Sequence, residues 1–106
     1  MFVYDLFEAV SPSVLVVYPG RFQPFHKGHA AVYNHLCEKY GQDAVYICTS
    51  NKVEAPKSPF SFDEKLKMIA LTGVKPDRVV QSTQPYKAME ITKNYDPNTT
   101  VLIFAI

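Results

Sequence analysis

A chain of 106 residues has room for one domain with one core and not for two. Its 47% hydrophobic and 20% charged content is that of an ordinary soluble globular protein, and no apolar run reaches the length of a membrane span. A net charge of +1 excludes a strongly basic polymer-binding surface. An anionic partner has to be met by a few placed groups, which favours a small phosphorylated ligand and no nucleic acid.

Residues 1–13 are expected to form an N-terminal arm, punctuated by Ser11-Pro12-Ser13, ahead of a single domain over 14–106. The N-terminus carries two acids and no basic segment, so it is not a signal peptide, and a cytoplasmic location is expected. The Asn98-Thr99-Thr100 sequon is read as chance. Val14-Leu15-Val16-Val17-Tyr18 is a continuous apolar run, as in a parallel strand covered on both faces. A loop from Pro19 to Lys27 follows, then a helix from about Gly28 to Tyr40. Its apolar face is His29, Val32, Tyr33, Leu36 and Tyr40, and Gly41 stands where a C-cap belongs. Ala44 to Thr49 is a second buried strand, and a Lys- and Pro-rich loop occupies 50–61.

Ser61-Phe62-Asp63-Glu64 is a capping box, in which the Ser61 hydroxyl caps the Glu64 amide and the Glu64 carboxylate reaches back. The helix it starts carries Phe62, Leu66, Ile69 and Ala70 on one face and stops at Gly73. Arg78-Val79-Val80 is a short third strand. Pro85 opens a third helix through about Tyr95, and Thr100 to Ile106 is a fourth buried strand. The order β-α-β-α-β-α-β predicts an α/β, Rossmann-like parallel sheet with right-handed crossover helices. The last strand has no helix to cover it, so the domain is expected to be truncated after its fourth strand. Cys37 and Cys48 lack the spacing of zinc ligands and read as small buried hydrophobes, and no metal-ligating residues are assigned.

The loop after β1 opens at the carboxyl edge of the sheet and feeds a helix N-terminus, where dipole and free amides favour an anion. Gly20 permits a tight turn, and Gly28 lets a nucleotide lie close to the backbone. His26 and His29 are three residues apart, so both imidazoles project to one side. Together they suit the phosphates of a nucleoside triphosphate and the charge on an α-phosphorus attacked in line. His35 has no such context and reads as a surface histidine.

Val17 to His29, with its Gly20-Arg21-Phe22-Gln23-Pro24-Phe25-His26-Lys27-Gly28-His29 core, resembles the signature of the HxGH adenylyl- and cytidylyltransferase superfamily. The wording is nearest to archaeal-type nicotinamide mononucleotide adenylyltransferases. Ser58-Pro59-Phe60-Ser61-Phe62-Asp63-Glu64-Lys65 resembles their N-P-F-T-x-x-E-R segment, with Lys65 for the arginine. The resemblance implies nucleotidyl transfer, most readily adenylyl from ATP to a small phosphate ester such as nicotinamide mononucleotide, with release of pyrophosphate. It also implies Mg2+ held mainly by substrate phosphates, His26, His29 and Lys65 as catalytic residues, and Gly20, Arg21, Phe22, Gly28 and Lys57 at the nucleotide. For Lys52, Lys57 and Lys65 the alternative is a solvated loop and helix face. The superfamily's C-terminal S/T-S-T-x-x-R motif does not occur here, so this chain is expected to bind nucleotide weakly and turn over slowly or not at all. Cytidylyl transfer, pantetheine-phosphate adenylylation and a non-catalytic nucleotide-binding module remain open, as does self-association into a homo-oligomer. A class I aminoacyl-tRNA synthetase fragment is disfavoured by the lack of a K-M-S-K-S-like loop.

Overall fold

The computed structural model describes residues 13–54, 56 and 58–106. The apolar run near the N-terminus forms β1 (Ser13–Pro19), in which Leu15, Val16 and Val17 are all buried. Successive strand side chains point to opposite faces, so three buried residues in a row mean that both faces are covered. Helix α1 (Lys27–Tyr40) follows, then β2 (Val45–Thr49), α2 (Phe62–Leu71), β3 (Val79–Gln81), α3 (Met89–Thr92) and β4 (Thr100–Phe104).

The four strands are parallel in the order β3-β2-β1-β4. Val16 pairs with Val45 on one side of β1 and with Ile103 on the other. Val16, Val45, Ile47 and Val79 face one core with Tyr33 and Leu36 of α1 and Ile69 of α2. Leu15, Val17 and Cys48 face the other, against Ala88 and Ile91. This is the α/β, Rossmann-like sheet expected from the element order. Among the described residues no helix is long and apolar enough to cross a membrane.

Several details differ from the expectation. Residues 1–12 of the N-terminal arm lie outside the described residues, and Ser13 belongs to β1, pairing with Thr100. The third helix is one turn, Met89–Thr92, because Pro85, Tyr86 and Lys87 form a turn and Ala88 takes a left-handed conformation (φ 49°, ψ 43°). A methyl side chain fits that fully buried corner. Arg78 stays outside β3, closing a short 3₁₀ turn with its guanidinium 4.0 Å from the Tyr46 ring centre. Val32 and Ala70 point outward, and the edge strand β4 leaves Val101 and Leu102 exposed. Cys37 is half-buried and Cys48 buried, and both are free thiols; burial pushes the Cys48 thiol up to about 11.

Candidate active site

The turn off β1 depends on two close approaches. A Cβ on Gly20 would meet the Phe22 ring at 2.8 Å, because Phe22, at φ 46°, folds back over the strand end. Phe22 is buried and sets its ring edge-on to Tyr18, Phe25 and His29, with centres 5.1–5.2 Å apart. It forms the floor beneath the loop. A Cβ on Gly28 would meet His26 Cε1 at 2.9 Å. The room that glycine leaves is therefore occupied by the His26 ring, a local reason for Gly28 beyond the approach of a ligand.

His26 is the N-cap of α1, and its Nδ1 accepts the Gly28 N–H at 3.0 Å. The His26 N–H donates in turn to Nδ1 of His29 at 3.1 Å. This is a capping box made from two histidines, and it stacks their rings with centres 3.7 Å apart. With both Nδ1 atoms accepting, the neutral tautomers carry their hydrogens on Nε2. Burial, and then the neighbouring His26, hold His29 below the usual histidine range. The pair is thus arranged as two neutral N–H donors at the positive end of a 14-residue helix.

Two clefts open at the carboxyl edge of the sheet. One, of about 540 Å³, is lined by His26, His29, Phe22, Tyr18 and Ala105. The other, of about 640 Å³, is lined by Ser50, Lys52, Ser58 and Thr83. Gly20, Arg21, Gln23 and Tyr86 line both, so the loop after β1 is their common wall. Both volumes are in the range of small-molecule sites.

A further network ties the two sequence motifs together. The Gln23 side chain donates to the Phe60 carbonyl (2.9 Å) and accepts the Phe60 N–H (2.8 Å), a two-point mimic of strand pairing. The Arg21 guanidinium donates to the buried Ser58 hydroxyl at 2.8 Å. Lys52, exposed, pairs with Glu54 at 3.2 Å, and that is the ion pair among the described residues. His35 is exposed on α1. Lys57 lies outside the described residues.

Lys65, expected as a catalytic residue in place of the arginine, is turned into the core. It is fully buried and lines neither cleft; its Nζ donates to the Thr49 hydroxyl at 2.8 Å and to the Arg21 carbonyl at 3.2 Å. The cause is helical spacing, since position 65 falls three after Phe62 and four before Ile69, on the core face of α2. That spacing was a usable signal in the sequence. Gln23, Thr49, Ser58 and Tyr86 were not assigned roles from the sequence; of these Gln23, inside the first motif, and Ser58, at the start of the second, carried a local cue.

A family model described as cytidylyltransferase-like matches residues 17–106. The chain is similar to nicotinamide-nucleotide adenylyltransferase 1 of Sulfolobus acidocaldarius, at 32% identity over 96 residues, covering 82% of this chain and 55% of that protein. It is also similar to the nicotinamide-nucleotide adenylyltransferases of Sulfurisphaera tokodaii (40% over 53 residues; 50% of this chain, 31% of that protein) and Methanocorpusculum labreanum (39% over 61 residues; 56% and 36%). The chain therefore spans about half, or less, of the length of these curated relatives. No solved structure matches it.

Proposed function

The chain belongs to the cytidylyltransferase-like family, and from that premise we propose that it is the nucleotide-binding part of a nucleotidyltransferase moving the adenylyl group of ATP to nicotinamide mononucleotide. The observation that carries this reading is the histidine capping box, which presents two neutral imidazole N–H donors at one helix N-terminus beside an exposed arginine. The phosphate oxygen of the acceptor attacks the α-phosphorus in line, a P–O bond forms, and the bond to pyrophosphate breaks with the electron pair leaving on pyrophosphate. His26 and His29 donate to the phosphate oxygens that gain charge, and the α1 dipole adds to them without reorganising. Arg21 holds a phosphate from the common wall of the clefts, with Gly20, Phe22 and Gly28 shaping the turn that presents it; Lys57 adds a phosphate contact from its loop. The shared wall favours one substrate in each cleft, meeting at Arg21 and Tyr86.

Magnesium fits this scheme as part of the nucleotide, held by phosphate oxygens and water. Among the described residues no three His, Cys, Asp or Glu side chains stand together, and Glu54 in the larger cleft is engaged by Lys52. A cytoplasmic location goes with the reading, supported by the two free cysteines.

Calorimetry with ATP, CTP and nicotinamide mononucleotide tests it. ATP is expected to bind, and His29→Ala to weaken it by about tenfold or more, the cost of one hydrogen bond to a charged group. An absence of nucleotide binding, or an unchanged affinity in the variant, would refute the assignment.

A further inference from the structure

Lys65 carries an ammonium with no exposed surface, and among the described residues no carboxylate pairs with it. Its partners are neutral oxygens, the Thr49 hydroxyl and the Arg21 carbonyl. Burying an unpaired charge is costly, and a well-packed apolar side chain of similar volume at such a site is commonly as stable or more so. Burial accordingly lowers the pKa of the amine. An ammonium kept under that cost, on the core face of a helix between Phe62 and Ile69, points to a use other than fold stability.

The contacts define that use. Thr49 ends β2 at the carboxyl edge of the sheet, and its hydroxyl lies 3.4 Å from the Arg21 carbonyl. Lys65, Thr49 and the Arg21 carbonyl therefore close a triangle beneath the loop. On the cleft side, the Arg21 guanidinium is steadied by Ser58. The backbone of Arg21 is thus tied from below and its side chain from the side, across 44 and 37 residues of sequence.

We propose that Lys65 is a positioning residue that acts through Arg21: its ammonium pins the Arg21 carbonyl to Thr49 and so sets where the Arg21 guanidinium meets the phosphates of a nucleotide. The proposal rests on the nucleotide-binding reading above and replaces a direct phosphate contact by Lys65 with an indirect one. A group of this kind is worth more than its own hydrogen bonds, because an arginine displaced by an ångström loses its grip on a phosphate.

The test compares wild type with Lys65→Met, Thr49→Val, Arg21→Ala and the double variant Arg21→Ala/Lys65→Met. Lys65→Met is expected to stay folded with an undiminished Tm while its affinity for ATP falls about tenfold. In the Arg21→Ala background the same substitution is expected to cost nothing further, since the two residues act as one unit. An unchanged ATP affinity in Lys65→Met overturns the proposal, and so does a loss of equal size in the Arg21→Ala background, which would mean that Lys65 acts on the nucleotide directly. If Lys65→Met does not fold, Thr49→Val decides by the same criteria, being isosteric and lacking only the hydroxyl. A ligand-free measurement separates this idea from the function: the Arg21 carbonyl 13C signal should move in Lys65→Met, and a signal that stays put overturns the pinning. Wild type that binds no ATP defeats the nucleotide reading alone, and the carbonyl signal then decides Lys65.

Discussion

In the first turn of α1, His29 accepts the His26 backbone N–H at Nδ1 and keeps Nε2 as its free ring nitrogen on the wall of the smaller cleft. Protonating Nδ1 removes that acceptor, so helix cap and donor geometry both depend on the neutral ring. The folded chain holds His29 below its ordinary value, chiefly by burial, so the unfolded chain takes up the proton first as pH falls. Stability from this group is complete above the unfolded value of about 6.5 and is lost as pH drops through the folded one. Urea unfolding at pH 7.5 and pH 5.5 should show a drop in midpoint for wild type that is smaller in His29→Gln. Glutamine at that position caps without titrating. An equal drop in both proteins would remove His29 as the cause.

At the scale of elements, the loop after β1 and the loop before α2 are joined by hydrogen bonds from Gln23 and Arg21. Gln23 satisfies both polar groups of the Phe60 backbone, which continues into the Ser61 and Glu64 capping box of α2. Gln23→Ala leaves those groups without partners in a partly buried site and is expected to cost roughly 1–3 kcal/mol. Denaturant unfolding reads the cost, and amide exchange at Phe60 should accelerate with it. This contact explains why the two motifs belong together: Gly20 to His29 makes the turn into α1, and the segment from Ser58 braces it through Ser58 and Phe60. α3 shows the limit of local rules, since the proline that opens a helix in sequence opens a turn here, and the buried Ala88 corner ends it.

For the whole molecule, β1 and β2 carry the centre of the sheet, and stability should follow burial rather than hydrophobicity. Ile47 is fully buried between strands and helices, whereas Leu71, at the end of α2, is 88% exposed. Ile47→Ala is expected to cost about 2–5 kcal/mol and Leu71→Ala about 0.5 kcal/mol or less. Thermal or urea unfolding of the two variants side by side checks this. Similar losses in both would contradict the core described here.

The sequence by itself determined whatever is set by neighbours within a few residues. Continuous apolar runs made the strands, the Ser61–Glu64 pattern capped α2, Gly41 ended α1 and Gly73 followed the end of α2, and the Gly20–His29 run placed two imidazoles on a helix N-terminus. Those features rest on periodicity and backbone conformation, which are local physics. Tertiary structure alone decided what joins residues far apart in the chain: Lys65 turned inward onto Thr49 and Arg21, Gln23 clasped Phe60, and Tyr86 became a wall common to two clefts. A lysine's charge marks it for solvent, whereas the helical spacing of position 65 puts it on the core face of α2. Only the assembled core shows that its four-carbon stem fills a buried position while its ammonium finds two oxygens at the sheet edge.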